Sequence, residues 1–231
     1  MNTKIFCDIA DLSSIKKFNK KKIVKGFTTN PSLMRKAGAK DYINYCNKIL
    51  KVTNKPISFE VFADDKKNMI IQAEKINKLG KNVYVKIPVN NSKGIFMGEV
   101  IKYLNSKRIK LNITAVYTAQ QTKQILSKIN KTDKVIISIF AGRMGDAGKN
   151  PISEIKKSKN HTSKFKNVSI LWASTREPYN YLQAKQLKCE ILTSPPKIID
   201  KIERFGKTFS QLTKDTVKGF LIDSKKSKFK I

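Results

Sequence analysis

Three ionisable residues stand in stretches that are otherwise apolar. Asp8 lies in Ile5-Phe6-Cys7-Asp8-Ile9, Glu60 in Ile57-Ser58-Phe59-Glu60-Val61-Phe62, and Lys86 in Val83-Tyr84-Val85-Lys86-Ile87-Pro88-Val89. Burying an unpaired charge costs on the order of several kcal/mol, so charges in such runs are rarely accidental. A lysine in this setting can attack a carbonyl carbon once it is neutral. Its ordinary pKa of about 10.4 must then fall by several units, which burial among apolar neighbours can achieve. The carbinolamine that follows needs protons moved in both directions, so a carboxylate must lie within reach. Glu60 and Asp8 are the carboxylates carried by such runs. The competing explanation is a structural pair, with Lys86 neutralised by Glu60 or Asp8 in a buried network.

The elements that must position these groups follow from the hydrophobic pattern. Strand-like runs fall at Ile5–Ile9, Gly26–Thr29, Ile57–Phe62, Val83–Val89, Leu111–Val116, Val135–Phe140, Ser169–Ser174 and Cys189–Thr193. Between them lie amphipathic stretches such as Lys66–Leu79, Ser92–Leu104, Ala119–Ile129, Pro178–Leu187 and Pro195–Glu203. Strands alternating with helices predict a parallel sheet, and eight repeats in this length favour closure into a barrel. A doubly wound sheet would carry a glycine-rich phosphate turn after its first strand. Here that turn reads Asp8-Ile9-Ala10-Asp11-Leu12-Ser13, without glycine. The expected fold is therefore α/β, a single-domain (β/α)8 TIM barrel spanning 1–222. It includes an extra C-terminal helix over Phe205–Ile222, followed by a lysine-rich tail, 223–231.

In a barrel strand every second residue faces the interior. If Lys86 points inward, Tyr84 and Pro88 do too, and the same rule places Asp8, Asn30, Glu60, Asn112, Thr114, Ser138 and Ser174 inside. Each lies late in its strand or just beyond it, at the C-terminal mouth where barrel enzymes place their chemistry. Cys7 should face the helix layer as a core residue, and Trp172 should face the pocket or fill the barrel.

The formal net charge of +31 invites a nucleic-acid reading. Yet five of the 48 basic residues are arginine, leaving 43 lysines spread along the whole chain. Arginine is the residue of bidentate base contacts, and no basic stripe interleaved with aromatics stands out. No specific nucleic acid is expected as a partner, although charge alone favours weak polyanion binding. No apolar run approaches the length of a membrane span, so no membrane is expected. The N-terminus lacks the apolar stretch of a signal peptide. Cys7, Cys46 and Cys189 stand far apart, which fits a reducing cytoplasm and suggests neither disulfides nor zinc. His161, the sole histidine, is expected in a solvated loop. Gly142, Gly145 and Gly148 are expected in a flexible turn rather than a phosphate nest, and no metal site is expected.

Six motifs in register extend these observations. They are Phe6-Cys7-Asp8-Ile9-Ala10-Asp11, Gly26-Phe27-Thr28-Thr29-Asn30-Pro31-Ser32, Val85-Lys86-Ile87-Pro88, Leu111-Asn112-Ile113-Thr114, Ser138-Ile139-Phe140-Ala141-Gly142-Arg143 and Ala173-Ser174-Thr175-Arg176. Together they resemble the transaldolases, and in length the small transaldolase/fructose-6-phosphate aldolase branch, from Phe6 to about Pro196. The resemblance implies an imine between Lys86 and a ketose donor, with no cofactor. It implies Glu60 as acid/base through a water that Thr114 helps to hold, and Asp8 as acceptor of the sugar hydroxyl proton. Asn30, Asn112 and Ser138 would position the three-carbon unit, and Arg143, Ser174 and Arg176 would bind the phosphate. Two of the five arginines falling just past strands six and seven suit a planar phosphate clamp independently of the resemblance.

Within that family, Glu60 and Phe140 resemble the transaldolase pattern, where the aldolases tend to carry glutamine and tyrosine. Ile139, Ala141 and the Tyr117-Thr118 pair depart from it. The implied reaction is transfer of a dihydroxyacetone unit from a ketose phosphate, such as fructose 6-phosphate or sedoheptulose 7-phosphate, to an aldose phosphate. The alternatives are an aldolase releasing dihydroxyacetone and a non-catalytic basic barrel binding polyanions. The partners implied are sugar phosphates and further copies of the chain, since small members form pentamers or decamers through the C-terminal helix.

Overall fold

A computed structural model describes residues 3–227. In chain order the elements are β1 (Lys4–Asp8), α1 (Leu12–Asn19), β2 (Val24–Thr28), α2 (Pro31–Lys36), α3 (Tyr42–Leu50), β3 (Ile57–Glu60), α4 (Lys66–Asn77), β4 (Val83–Pro88), α5 (Gly98–Ser106) and β5 (Leu111–Val116). They continue with α6 (Ala119–Leu126), β6 (Val135–Ile139), α7 (Ala141–Asp146), α8 (Ile152–Thr162), β7 (Val168–Trp172), α9 (Tyr179–Gln186), β8 (Ile191–Ser194), α10 (Pro196–Ile202) and α11 (Phe209–Ser227). The eight strands pair in sequence order, all parallel, and β8 closes on β1 to complete a (β/α)8 barrel.

Local chemistry starts the helices where the pattern requires. Asp11, Asn30, Asp41 and Asp65 each accept backbone N–H bonds in the first turns of α1, α2, α3 and α4. Thr118 and Gln121 form a reciprocal capping box on α6. Outward-facing strand residues such as Val85, Ile87, Ile113 and Ile170 pack with the helices in one large buried cluster. Phe6, Ile136, Leu171 and Ile191 form a second, smaller cluster inside the barrel. Cys7 lies in the outer cluster, as alternation requires.

Several expectations are corrected. The Gly142–Gly148 stretch is not simply a flexible turn, because its first part is the helix α7, which opens on the buried Ala141 and Gly142. His161 is exposed but sits in the last turn of α8 rather than in a loop. Ser92 precedes its helix by six residues: a turn closed by the Asn90–Phe96 bridge delays α5 until Gly98. Trp172 neither lines the pocket nor fills the barrel; it packs outward among the helices. Alternation holds along β7, with Leu171 and Ala173 inward and Trp172 outward; Ser174 breaks it, because its left-handed conformation (φ 64°) brings it to the cavity directly after Ala173.

The last helix begins at Phe209 and runs to Ser227, five residues beyond Ile222. The first residues of the expected lysine-rich tail are therefore helical, and its last four lie outside the described residues. No residue of α11 is buried.

Candidate active site

The interior charges meet at the C-terminal end of the strands. Strand register sets Glu60 beside Lys86 and Lys86 beside Asn112, one row across β3, β4 and β5. The Lys86 ammonium lies 3.1 Å from Glu60 Oε2 and donates to the Thr29 carbonyl oxygen at 3.1 Å. Lys86 is only 6% exposed, so this pair sits where neither charge could be left alone. Glu60 is held from behind by α3. The Tyr42 hydroxyl donates to the Glu60 carbonyl oxygen at 2.8 Å and accepts its N–H at 2.9 Å.

Asp8 approaches from β1, opposite Thr28 of β2. The Thr28 hydroxyl donates to Asp8 Oδ1 at 2.7 Å and lies 2.5 Å from the Thr193 hydroxyl, which links β8, β2 and β1 at the mouth. Dense surrounding protein strips Asp8 of water and pushes its carboxyl above the ordinary range, against the opposing pull of Lys86 and the Thr28 hydrogen bond.

A carboxyl raised by folding binds its proton more tightly in the native state, so its ionisation destabilises the fold as pH rises through the native value. Asp8→Asn is therefore expected to melt higher than the parent at neutral and alkaline pH. The difference should shrink towards zero as pH falls below the ordinary carboxylate value of about 3.9. Melting curves across pH check this, and a gap that is constant with pH would refute the assignment.

Strand β5 is shaped at the site. Its pairing with β6 shifts between Ile113 and Val116, and Ala115 takes a left-handed conformation (φ 58°). The bulge keeps Thr114 pointing inward while Val116 returns to the outer core. Among the described residues, the buried Thr114 hydroxyl has no hydrogen-bond partner. Asn112 differs: its amide donates to Ser58 Oγ at 2.9 Å, and its carbonyl accepts from Ser138 Oγ at 2.6 Å. Asn30 also divides its capacity, since its side-chain oxygen caps α2 through the Leu33 N–H at 2.9 Å.

These groups open onto a cavity of about 180 Å³. Asp8, Asn30, Lys86, Thr114, Ser138 and Phe140 line it, joined by Arg143, Ser174 and Arg176 at its outer end. Glu60 and Asn112 do not reach its surface; they stand behind Lys86 and Ser138. The Arg143 guanidinium lies over the Phe140 ring, 5.0 Å from its centroid. Arg176 is held by Asp146, with Nε donating to both carboxylate oxygens at 2.9 and 3.0 Å, while its Nη1 donates to the Ser174 carbonyl oxygen at 3.2 Å. The hydrogen bonds from Arg176 hold Asp146 below the usual carboxylate range.

Sequence alone singles out neither Asp146 nor the roles of Thr28 and Thr193. Asp146 becomes visible only once α7 is known to be helical, which turns it towards Arg176. Thr193 has no sequence signal beyond its even spacing from Ile191 in β8.

Fold and site together define a (β/α)8 barrel whose interior lysine is paired with a carboxylate at the C-terminal mouth, beneath two arginines. Comparison with known proteins narrows this. The family described as Transaldolase/Fructose-6-phosphate aldolase matches residues 5–231. A probable transaldolase of Clostridioides difficile is 34% identical over 200 residues, covering 86% of this chain and 88% of that protein. A probable transaldolase of Nitrosopumilus maritimus is 33% identical over 229 residues, covering 97% and 96%. Among solved structures, inosine 5'-monophosphate dehydrogenase from Legionella pneumophila superposes with a TM-score of 0.59 at 13% identity. That match covers 84% of this chain and 58% of the other, and it speaks to the barrel fold alone. The chain belongs to the transaldolase/fructose-6-phosphate aldolase family.

Proposed function

We propose that this protein is a transaldolase that moves a dihydroxyacetone unit between sugar phosphates through an imine on Lys86. The observation that carries this reading is the Lys86–Glu60 pair, nearly buried at 3.1 Å, in which Glu60 stands behind a Lys86 that lines the same cavity as Arg143 and Arg176. Glu60 can accept the ammonium proton across that contact, leaving a neutral amine to attack the carbonyl of fructose 6-phosphate or sedoheptulose 7-phosphate. Water is expelled as the imine forms. Asp8 then takes the proton of the donor's hydroxyl as the carbon–carbon bond breaks, and the aldose phosphate leaves. The three-carbon enamine stays on Lys86 until an aldose phosphate acceptor arrives, and hydrolysis of the final imine restores the amine. The Thr114 hydroxyl supports a water between Glu60 and the reacting nitrogen. The lysine supplies the electron sink, so the scheme calls on no cofactor. Arg143 and the Nη1 face of Arg176 meet the substrate phosphate.

A second reading, release of free dihydroxyacetone, draws on one observation. Tyr117 packs against Phe140 with ring centroids 5.9 Å apart, bringing a phenol close to the residue whose tyrosine counterpart marks the aldolases. Product analysis with fructose 6-phosphate decides between them. A transaldolase converts the donor only when an aldose phosphate such as erythrose 4-phosphate is present. Steady release of dihydroxyacetone without acceptor would establish the aldolase instead.

We place the reaction in a reducing cytoplasm, a reading supported by the three cysteines, all buried and unpaired as thiols. Among the described residues, no helix is long and apolar enough to cross a membrane. Assembly into a ring is also part of the reading. Phe209, Leu212, Val217, Phe220 and Leu221 along α11 are between 47% and 90% exposed, a stripe too apolar to face water alone. Sedimentation should find an oligomer, and replacing Phe209 and Phe220 with serine should release monomers. A monomeric parent protein would remove this part of the proposal.

A further inference from the structure

The opposite end of the barrel carries the molecule's other concentration of charge. A lysine stands at or just before the start of every strand. Lys4 is the first residue of β1 and Lys25 the second of β2. Lys55 and Lys81 lie two residues before β3 and β4, and Lys110 and Lys134 directly precede β5 and β6. Lys166 and Lys188 complete the circle ahead of β7 and β8. Lys4, Lys110 and Lys134 share the parity of the inward-facing Phe6, Asn112 and Ile136, so they direct their charge towards the barrel axis.

Part of this ring opens into a bowl of about 2170 Å³, floored by Phe6, Tyr84 and Ile136 and walled by α8 and α9. Eight lysines and one glutamate line it, a net of +7. The glutamate, Glu190, is already engaged by Lys159 and by the Ile170 N–H. Among the described residues, no other lysine of the bowl has a carboxylate partner. Like charges gathered around a concave, partly desolvated surface repel one another and focus a positive potential into it. Two ring lysines outside the bowl's lining have lowered pKa values, Lys55 through burial and then Lys25, and Lys110 through burial and then Lys134.

Lys188 follows the C-cap of α9 with φ 56°, a left-handed position at which glycine is the favoured residue. Arg108 holds the same position after α5 (φ 57°), so the conformation makes Lys188→Gly a mild substitution and is not itself a sign of a ligand.

From these observations we infer that the N-terminal bowl is a binding site for a compact, multiply phosphorylated small anion, separate from the sugar-phosphate site at the other end. Five lysines of the ring, Lys4, Lys25, Lys134, Lys166 and Lys188, converge on one bowl, which suits a compact ligand better than a long strand laid along a groove. The aromatic floor, with the Lys110 ammonium 5.4 Å from the Tyr84 ring centroid, limits water on one side of the bound anion. Binding in the bowl is independent of the reaction proposed for Lys86.

Inorganic tripolyphosphate is the probe. Calorimetric titration of the full chain at about 0.15 M salt should show one site per chain that survives this screening. The pair Lys134→Gln and Lys188→Gly should weaken binding about 100-fold, roughly tenfold for each charge-assisted hydrogen bond removed. Lys188→Gly relieves the backbone strain, so its melting temperature should equal or exceed the parent's and misfolding cannot explain the loss. A control pair of exposed helix lysines, Lys102→Gln and Lys123→Gln, removes the same charge and should change affinity by less than about threefold. Equal weakening by both pairs would show a response to net charge alone and overturn the proposal. So would absence of binding, or several weak sites. Single-stranded RNA displacing the probe from one high-affinity site, lost with Lys134 and Lys188, would replace a small anion with a nucleic acid.

Discussion

The Lys86→Met protein should gain no mass when incubated with fructose 6-phosphate and borohydride, and its turnover should fall by about 10³-fold or more. The parent should acquire a reduced three- or six-carbon adduct that maps to Lys86. The variant also tests the structural explanation for the lysine. Removing the ammonium strands Glu60, whose side chain is 16% exposed, and breaking a buried pair costs about 3–5 kcal/mol. Lys86→Met should therefore be both inactive and less stable. Adding Glu60→Gln removes the stranded charge and should recover most of the stability while recovering none of the activity. If the pair were only structural, the stable double variant would keep its turnover. That result, or an adduct on another lysine of the parent, would end the imine mechanism.

Gly142→Ala is expected to have the second-largest effect. A Cβ built at Gly142 would stand 1.6 Å from the Ser174 carbonyl oxygen. That contact is with backbone, so no side-chain rotation relieves it, and α7 must separate from the turn after β7. Those two segments carry Arg143 on one side and Ser174 with Arg176 on the other. The same collision that strains the fold thus pulls apart the phosphate end of the cavity. Destabilisation of about 3 kcal/mol or more is expected, a fall in melting temperature of roughly 6–12 °C for a chain of this size. KM for phosphorylated donors should rise about tenfold or more, while an unphosphorylated ketose should be much less affected. Equal losses for both donors would separate Gly142 from phosphate recognition.

Much of the fold was legible because parallel strands covered on both faces are short apolar runs, and all eight of them fell where a strand was expected. Barrel closure followed from the count of repeats. The site was legible for the same reason in reverse, since Asp8, Glu60 and Lys86 interrupt those runs. Alternation then placed Asn112, Thr114 and Ser138 on the interior face.

What alternation could not supply was the backbone's exceptions. Ala115 and Ser174 adopt left-handed conformations that no glycine announces, and each changes which side chains face inward beyond it. Because Ser174 reaches the cavity out of phase, counting back from it by twos places Trp172 inside, where it is not. Division of hydrogen-bonding capacity was equally hidden. Nothing in Leu111-Asn112-Ile113-Thr114 shows that Asn112 satisfies both of its polar ends on Ser58 and Ser138, whereas the Thr114 hydroxyl has no partner among the described residues. The Arg176–Asp146 pair joins residues 30 apart through a helix that glycine content argued against.

The pairing of β1 with β8 carries a consequence for synthesis. Lys4 lies opposite Ile191, 187 residues later in the chain. At ribosomal rates of about 5–20 residues per second, the first strand waits roughly 10–40 s for the partner on its far edge. During that interval its backbone N–H and C=O groups along Ile5-Phe6-Cys7 form an open edge, which another nascent chain could occupy. The strand is short, begins with a lysine and ends with an aspartate, and charges at both ends disfavour such pairing. Asp8 and Lys4, read as parts of two sites at opposite ends of the finished barrel, thus also guard its first strand before the barrel exists.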